Sequence, residues 1–286
     1  MADSVTLSSA IRTNLLSLQK TGEFVNRTNN RLSTGLRVAS AIDDAVSYFQ
    51  AKALTDRAGD LGGKKDSIDQ AISSVKGAMT GLESIEKVLI QMKGVALSAK
   101  SATNEERVDL VAQFNTLANQ LNRMAEDTTY QGLNLIANTA ASLKVEFSEK
   151  TSAVLDIQGV DVRTDKLAGF AVAASNAGAL AAGVDWSTVS SQVSSLDTVI
   201  KKLDSAISDV RTNAKTLGTN VALLQTRLDF TRNYMNTLKE GGEKLTLADL
   251  NEEGANLVSL QTRQQLGIQA LSFAGQQEQG VLSLFK

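Results

Sequence analysis

The chain has 286 residues, of which 42% are apolar but only 4% aromatic, and its formal net charge is −2. Histidine, cysteine and proline are absent, which excludes Ser-His-Asp chemistry, histidine and thiolate metal sites and disulfides, and leaves long helices unbroken. Neither a basic patch for nucleic acid nor a run of about 18 apolar residues for a membrane span is present, and we expect no enzyme, cofactor, metal or small-molecule substrate.

The first predicted helix covers residues 5–36. Its apolar positions alternate by four and three residues, which places them along one stripe of a helix. They are Ile11, Leu15, Leu18, Gly22, Val25, Asn29, Leu32 and Leu36. Glycine and asparagine thin this stripe, so we expect the helix to depend on a packing partner. Residues 32–44 break the pattern, and Gly35 permits a turn with positive φ.

Three helical segments are predicted next, over residues 46–58, 68–100 and 104–128. The glycines at 59, 62 and 63 indicate a bend or a thin spot between the first two. Thr103 and Glu106 have the spacing of a capping box, which predicts the start of the third segment.

Residues 133–185 differ in character from the rest. Leu143, Val145 and Phe147 alternate with polar residues, and so do Ala153, Leu155 and Ile157. This pattern predicts a β-hairpin in a small appendage.

The longest predicted helix spans residues 187–240. Its apolar seam repeats every 3.5 residues on average, as in a coiled coil. Asp185 or Ser187 can cap its start, and the glycines at 241 and 242 are predicted to end it. We expect this seam to pack against the stripes of residues 68–100 and 104–128. The predicted core positions of the resulting bundle are Leu89, Leu117, Leu121, Leu203, Val210 and Leu224.

A last helix is predicted over residues 246–285, with two apolar stripes and many glutamines between them. A helix that is apolar on two sides needs neighbours on both, which suggests assembly.

Several blocks resemble the signatures of bacterial flagellin over essentially the whole chain. They are NLLSLQ at 14–19, RLSTGLR at 31–37, ASAIDDA at 39–45, NRMAEDTTYQGLN at 122–134, ANLVSLQTRQQLG at 255–267 and QGVLSLF at 279–285. The resemblance implies a short flagellin without large outer domains. It implies a mainly α fold: a long antiparallel helical bundle or coiled-coil rod with a small β-hairpin, whose N- and C-terminal helices pair.

The resemblance also implies a division of labour along the chain. Residues 1–45 with 244–286 would form an inner domain that lines the central channel of a filament, and residues 46–243, including the hairpin region 133–185, an outer rod. The positions expected to pack the inner domain are Leu15, Leu18, Val25, Leu32, Leu271, Leu282 and Phe285.

The function implied is a structural subunit that polymerises with itself into the extracellular flagellar filament. The implied partners are an export chaperone, the filament cap and hook-associated proteins. The first twelve residues lack a basic n-region and an apolar h-region, so export without a cleavable signal peptide is expected. A hook–filament junction protein shares the terminal helices and remains an alternative. A chemoreceptor coiled coil would need a membrane span or sensory domain.

Some flagellins are sensed by a vertebrate Toll-like receptor through an Arg, Leu and Glu patch. Matched by local alignment, the patch falls at Gln91, Val95 and Gln120, and all three positions depart from the family pattern. We therefore expect weak or no receptor activation.

Overall fold

The computed structural model describes residues 9–148, 152–167 and 192–283. In chain order its elements are α1 (Ser9–Thr34), α2 (Ala45–Ser101), α3 (Asn104–Asp127), β1 (Ser142–Glu146), β2 (Val154–Gln158), α4 (Thr164–Leu167), α5 (Gln192–Thr246) and α6 (Leu250–Ser283). The predicted class, mainly helical with one small hairpin, is confirmed. The predicted caps of α5, Asp185 and Ser187, lie outside the described residues.

The chain forms two compact units. The central unit runs from Gly59 to Met235, and the terminal unit contains the residues before and after it. These boundaries lie deeper in α2 and α5 than the predicted ones at residues 45 and 243. The reason is that the first turns of α2 pack tightly on the end of α5, where a Cβ on Gly242 would lie 3.3 Å from the carbonyl oxygen of Ala51.

In the central unit, α2 and α5 run antiparallel in a constant register. Three ion pairs join them, each seven residues from the next: Glu86 with Arg211, Lys93 with Asp204, and Lys100 with Asp197. Charged pairs that recur every seven residues flank the apolar seam of a coiled coil and fix its register. All three pairs are exposed, so each contributes less than about 1 kcal/mol and their main effect is alignment.

Burial of the long seam stabilises this unit. Every position of the seam from Leu196 to Leu228 is buried or half-buried. Of the predicted core positions, Leu89, Leu121, Leu203, Val210 and Leu224 are buried, and Leu117 is half-buried against the same cluster.

Local signals set the ends of the smaller elements. Thr103 and Glu106 form the predicted capping box at the start of α3. The predicted hairpin is present, with Leu143 opposite Ile157 and Val145 opposite Leu155. Its buried face packs into the cluster formed with α2, α3 and α5.

Two asparagine side chains of the block at residues 122–134 form hydrogen bonds at the end of α3. The Asn134 side chain donates to the carbonyl oxygens of Ala125 and Glu126 and accepts from two backbone amides after it. The Asn122 side chain accepts from the backbone and hydroxyl of Thr164 and so holds α4. These bonds satisfy backbone groups that would otherwise lack partners where the helix ends.

One glycine prediction is wrong, because α5 continues past Gly241 and Gly242 to Thr246. At Gly59, Gly62 and Gly63 the backbone of α2 stays helical. Tertiary packing overrides the low helix propensity of glycine, which costs about 1 kcal/mol per residue relative to alanine. At Gly242 the close approach of α2 leaves no room for a larger side chain.

Two leucines of α5 should contribute very differently to the free energy of unfolding. Leu203 is fully buried, whereas Leu223 is 42% exposed. Replacing Leu203 with alanine leaves a cavity and should lower the free energy of unfolding by about 3 kcal/mol. Leu223→Ala should lower it by less than about 1 kcal/mol. Urea unfolding followed by circular dichroism measures both, and equal losses would contradict the assignment of the core.

Candidate functional site

The paired terminal helices α1 and α6 are the candidate site. They run antiparallel, because Leu18 faces Gly267, Arg31 faces Glu253, and Leu36 bridges Leu247. At Gly267 a Cβ would lie 3.1 Å from Leu18, so the small residue lets the two helices approach closely. The predicted pairing of N- and C-terminal helices is confirmed.

One ion pair fixes the register of α1 and α6. Arg31 Nη1 donates to Glu253 Oε1 at 2.7 Å, and Glu253 is buried although it carries a charge. A buried carboxylate is costly without a partner, so this pair restricts the helices to one alignment. Thr28, one turn before Arg31, is buried beside it.

The segments that follow α1 and α5 are joined by backbone hydrogen bonds. The amides of Arg37 and Val38 donate to the carbonyl oxygen of Thr246, and the amide of Ala248 donates to that of Gly35. Gly35 has φ of 70°, a conformation that other residues adopt at a cost. The turn predicted at Gly35 is therefore present, and it pairs two distant parts of the chain.

Two aspartates hold the turn between α1 and α2. Asp43 Oδ2 accepts hydrogen bonds from the amides of Ala39 and Ser40 and from the Ser40 hydroxyl. Asp44 accepts from the amides of Val46 and Ser47, as a helix N-cap does. Hydrogen bonds from Ser40 lower the pKa of Asp43, and those from Ser47 lower the pKa of Asp44, so both stay ionised near neutral pH.

The terminal unit leaves many large apolar side chains in contact with solvent. They are Leu15, Leu16, Phe24, Ile42, Val46, Phe49, Leu247, Leu250, Val258, Leu266, Ile268 and Phe273. Scattered apolar residues are normal on a surface, but such a number on two paired helices and their connections marks an interaction surface. Two helices can cover only one face of each other, and the other faces remain open.

The predicted packing residues lie on this pair, but none of those described is fully buried. Leu15 is 38% exposed. Leu18, Val25, Leu32 and Leu271 are half-buried. Leu282 lies in α6 with an undescribed side chain, and Phe285 lies outside the described residues.

Sequence reasoning missed three of the most exposed apolar residues, Ile42, Val258 and Phe273. Val258 and Phe273 lie outside both apolar stripes predicted for α6. A count of apolar residues around the whole helix, rather than along two lines, would have found them. Ile42 lies in the segment 32–44 that breaks the helical pattern, so no predicted stripe includes it.

The positions matched to the receptor patch lie in the central unit. Gln91 of α2 and Gln120 of α3 are exposed, and Val95 is half-buried against the core. The side chains of Gln91 and Gln120 are uncharged amides. Among the described helices, none is both long and apolar enough to cross a lipid bilayer.

Comparison with known proteins decides the family. The model of the bacterial flagellin N-terminal helical region matches residues 5–141, and that of the C-terminal helical region matches residues 200–285. The chain belongs to the bacterial flagellin family. Flagellin FljM of Caulobacter vibrioides is 29% identical to it over 99% of both chains. A flagellin of Brucella melitensis biotype 1 is 28% identical over the whole of both.

A solved structure with a similar fold is that of a putative flagellar hook-associated protein from Vibrio parahaemolyticus. The TM-score is 0.57, the identity is 11%, and the match covers 72% of this chain and all of the other. This likeness concerns the fold alone and does not favour a junction protein. Flagellins are structural proteins, not enzymes, and their subunits polymerise into the flagellar filament outside the cell.

The ion pair at Arg31 gives a testable prediction. Arg31→Ala leaves the buried Glu253 carboxylate without its partner and should weaken the α1–α6 pairing by about 1–3 kcal/mol. Amide hydrogen exchange of the isolated subunit should then show faster exchange in α6. Arg12→Ala, which removes an exposed arginine of the same helix, is the control and should leave exchange unchanged. Equal protection in both variants would show that the ion pair does not hold the helices together.

Proposed function

We propose that the terminal unit of this flagellin is its assembly device. This proposal rests on the large apolar side chains that α1, α6 and their connections expose. In the filament, neighbouring copies cover these side chains and complete a core that one subunit forms only in part. Apolar contact of this kind contributes about 25 cal/mol for each square ångström removed from water.

The glutamines of α6 support an inner position for this helix. Gln261, Gln265, Gln269 and Gln276 are exposed. In the proposed filament they line the central channel, where a polar wall without charge lets an unfolded chain pass without binding tightly.

Assembly is coupled to the ordering of the terminal helices. The terminal unit has few fully buried apolar residues among those described, so little free energy opposes the opening of α1 and α6 in a free subunit. Packing between copies supplies the missing burial, and folding and binding then occur together.

Further partners follow from the family. The subunit travels through the flagellar export apparatus, bound beforehand by an export chaperone. It joins the filament beneath the cap, and the first copies contact hook-associated proteins. A hook–filament junction role would instead require that the chain stop after a few copies.

The assembly proposal is tested by electron microscopy of purified subunits after seeding. The full chain should form long filaments, and a variant lacking residues 247–286, which include α6, should form none. Phe273→Asp places a charge on an exposed apolar position and should prevent polymerisation without unfolding the subunit. Gln265→Glu, on the glutamine face, should still polymerise. Short caps or monomers from the full chain would favour the junction role.

We also propose that this flagellin escapes the Toll-like receptor that recognises other members of the family. Gln91 and Gln120 replace a cation and an anion on exposed surfaces, so two charge-assisted contacts are lost. In a receptor-reporter cell assay, the purified subunit should give a weak response or none. Restoring the family residues with Gln91→Arg and Gln120→Glu should raise it. A strong response to the unaltered subunit would overturn this proposal.

A further inference from the structure

Ile42 is the most exposed large apolar residue among those described, with 96% of its surface open to solvent. It lies in the turn between α1 and α2, directly before Asp43 and Asp44. Because those aspartates accept six hydrogen bonds from backbone and hydroxyl groups of the turn and of the first turn of α2, Ile42 is presented on a well-held loop. A fixed side chain loses little conformational entropy when it enters a binding site.

Two neighbours extend Ile42 into a patch. Val46, four residues after Ile42, is 67% exposed. Phe49, three residues after Val46, is 60% exposed. We call Ile42, Val46 and Phe49 the turn patch. Nothing in the described part of the terminal unit covers it. The two aspartates beside it give the apolar patch an acidic edge.

The same unit contains a cleft with the opposite character. It lies between α1 and α6, has a volume of about 240 Å³, and is lined in part by Phe24 and Leu260. Three arginines line it as well, Arg27, Arg31 and Arg263, together with Glu253 and the polar residues Thr28, Asn256 and Ser259.

The charges of this cleft are only partly neutralised. Arg31 pairs with Glu253, and Arg27 lies 5.1 Å from the centre of the Phe24 ring. In the described part of the chain, neither Arg27 nor Arg263 forms an ion pair with a carboxylate. The cleft thus combines two apolar side chains with an excess of positive charge among the residues that line it.

The turn patch and the cleft are complementary, and both are open in one subunit. We propose that Ile42 of one subunit inserts into the α1–α6 cleft of a second copy, with Asp43 and Asp44 facing Arg27 and Arg263. This inference rests on the proposed assembly function and names one of its contacts. Two different surfaces of the same chain meet in it, so the contact does not close on itself and can repeat along a filament.

The chemistry of the two sides favours this partner over others. The apolar side chains leave water on both surfaces. The carboxylates remain ionised at neutral pH, because hydrogen bonds within the turn lower the pKa of each. Opposite charges at the rim of an apolar contact steer the encounter and select its register.

A charge-reversal cycle tests the contact. Ile42→Lys places a cation in a cationic cleft and should raise the critical concentration for polymerisation about tenfold or more, because like charges oppose the contact. Ile42→Glu should raise it less. Ile42→Lys combined with Arg263→Glu should recover most of the loss. Ile42→Lys combined with Arg12→Glu, a reversal outside the cleft, is the matched control and should recover nothing.

The outcomes separate this contact from the wider proposal. If the unaltered chain fails to polymerise, the assembly function fails and this contact with it. If the unaltered chain polymerises and Ile42→Lys does so at the same concentration, only the contact is overturned. The contact is likewise overturned if the Arg12 control recovers as much as the Arg263 reversal. Circular dichroism of each subunit shows whether it is folded.

A cross-linking experiment covers the case in which charged variants fail to fold. The chain has no cysteine, so Phe24→Cys with Ile42→Cys introduces the only two thiols. Oxidised filaments of this variant should give a ladder of covalent oligomers on a denaturing gel, because each subunit links to two others. Either single variant can give dimers at most. Filaments that oxidise without a ladder would overturn the contact.

Discussion

The antiparallel register of α2 and α5 is the constraint on which the central unit depends. A seam that recurs every 3.5 residues on average can be buried only if a second long helix follows it in step. Ion pairs at Glu86, Lys93 and Lys100 align the two helices every seven residues. Helix α3 and the hairpin then close the sides of the seam. The central unit thereby buries or half-buries most of its large apolar side chains. The exposed ones among those described are Ile90, Leu97, Val108, Val154, Leu223 and Phe230.

The terminal unit lacks this balance. In it, helices α1 and α6 pair, and Arg31 forms an ion pair with Glu253. Backbone hydrogen bonds join the segments that follow α1 and α5. These interactions fix which residues face each other, but they cannot cover both sides of two helices. When α1 and α6 pair, these interactions permit one alignment, so each copy that joins a polymer presents the same apolar surface to its neighbours.

Sequence periodicity predicts the parts of the fold that a single repeating interaction determines. The seam of α5, the capping box at Thr103 and the alternation of the hairpin are such cases. Glycine is ambiguous by comparison, because one residue type serves different physical ends. Gly35 adopts positive φ and ends a helix, whereas Gly242 lies inside a helix and allows the close approach of Ala51. Only the packing partner distinguishes these roles, and no local pattern reports it.

The candidate site is predicted less completely for a related reason. Leu18, Val25 and Leu32 lie on the expected face of α1, but their half-buried state depends on how many copies surround them. A residue that another copy covers need not lie on any predicted stripe, and Ile42, in the turn before α2, is the clearest case. The exposure of Ile42 indicates a contact between copies only because the same unit also contains a cleft with the opposite charge. In a polymer-forming chain, one sequence contains both the exposed apolar side chain and the surface that receives it, and the two meet only between copies.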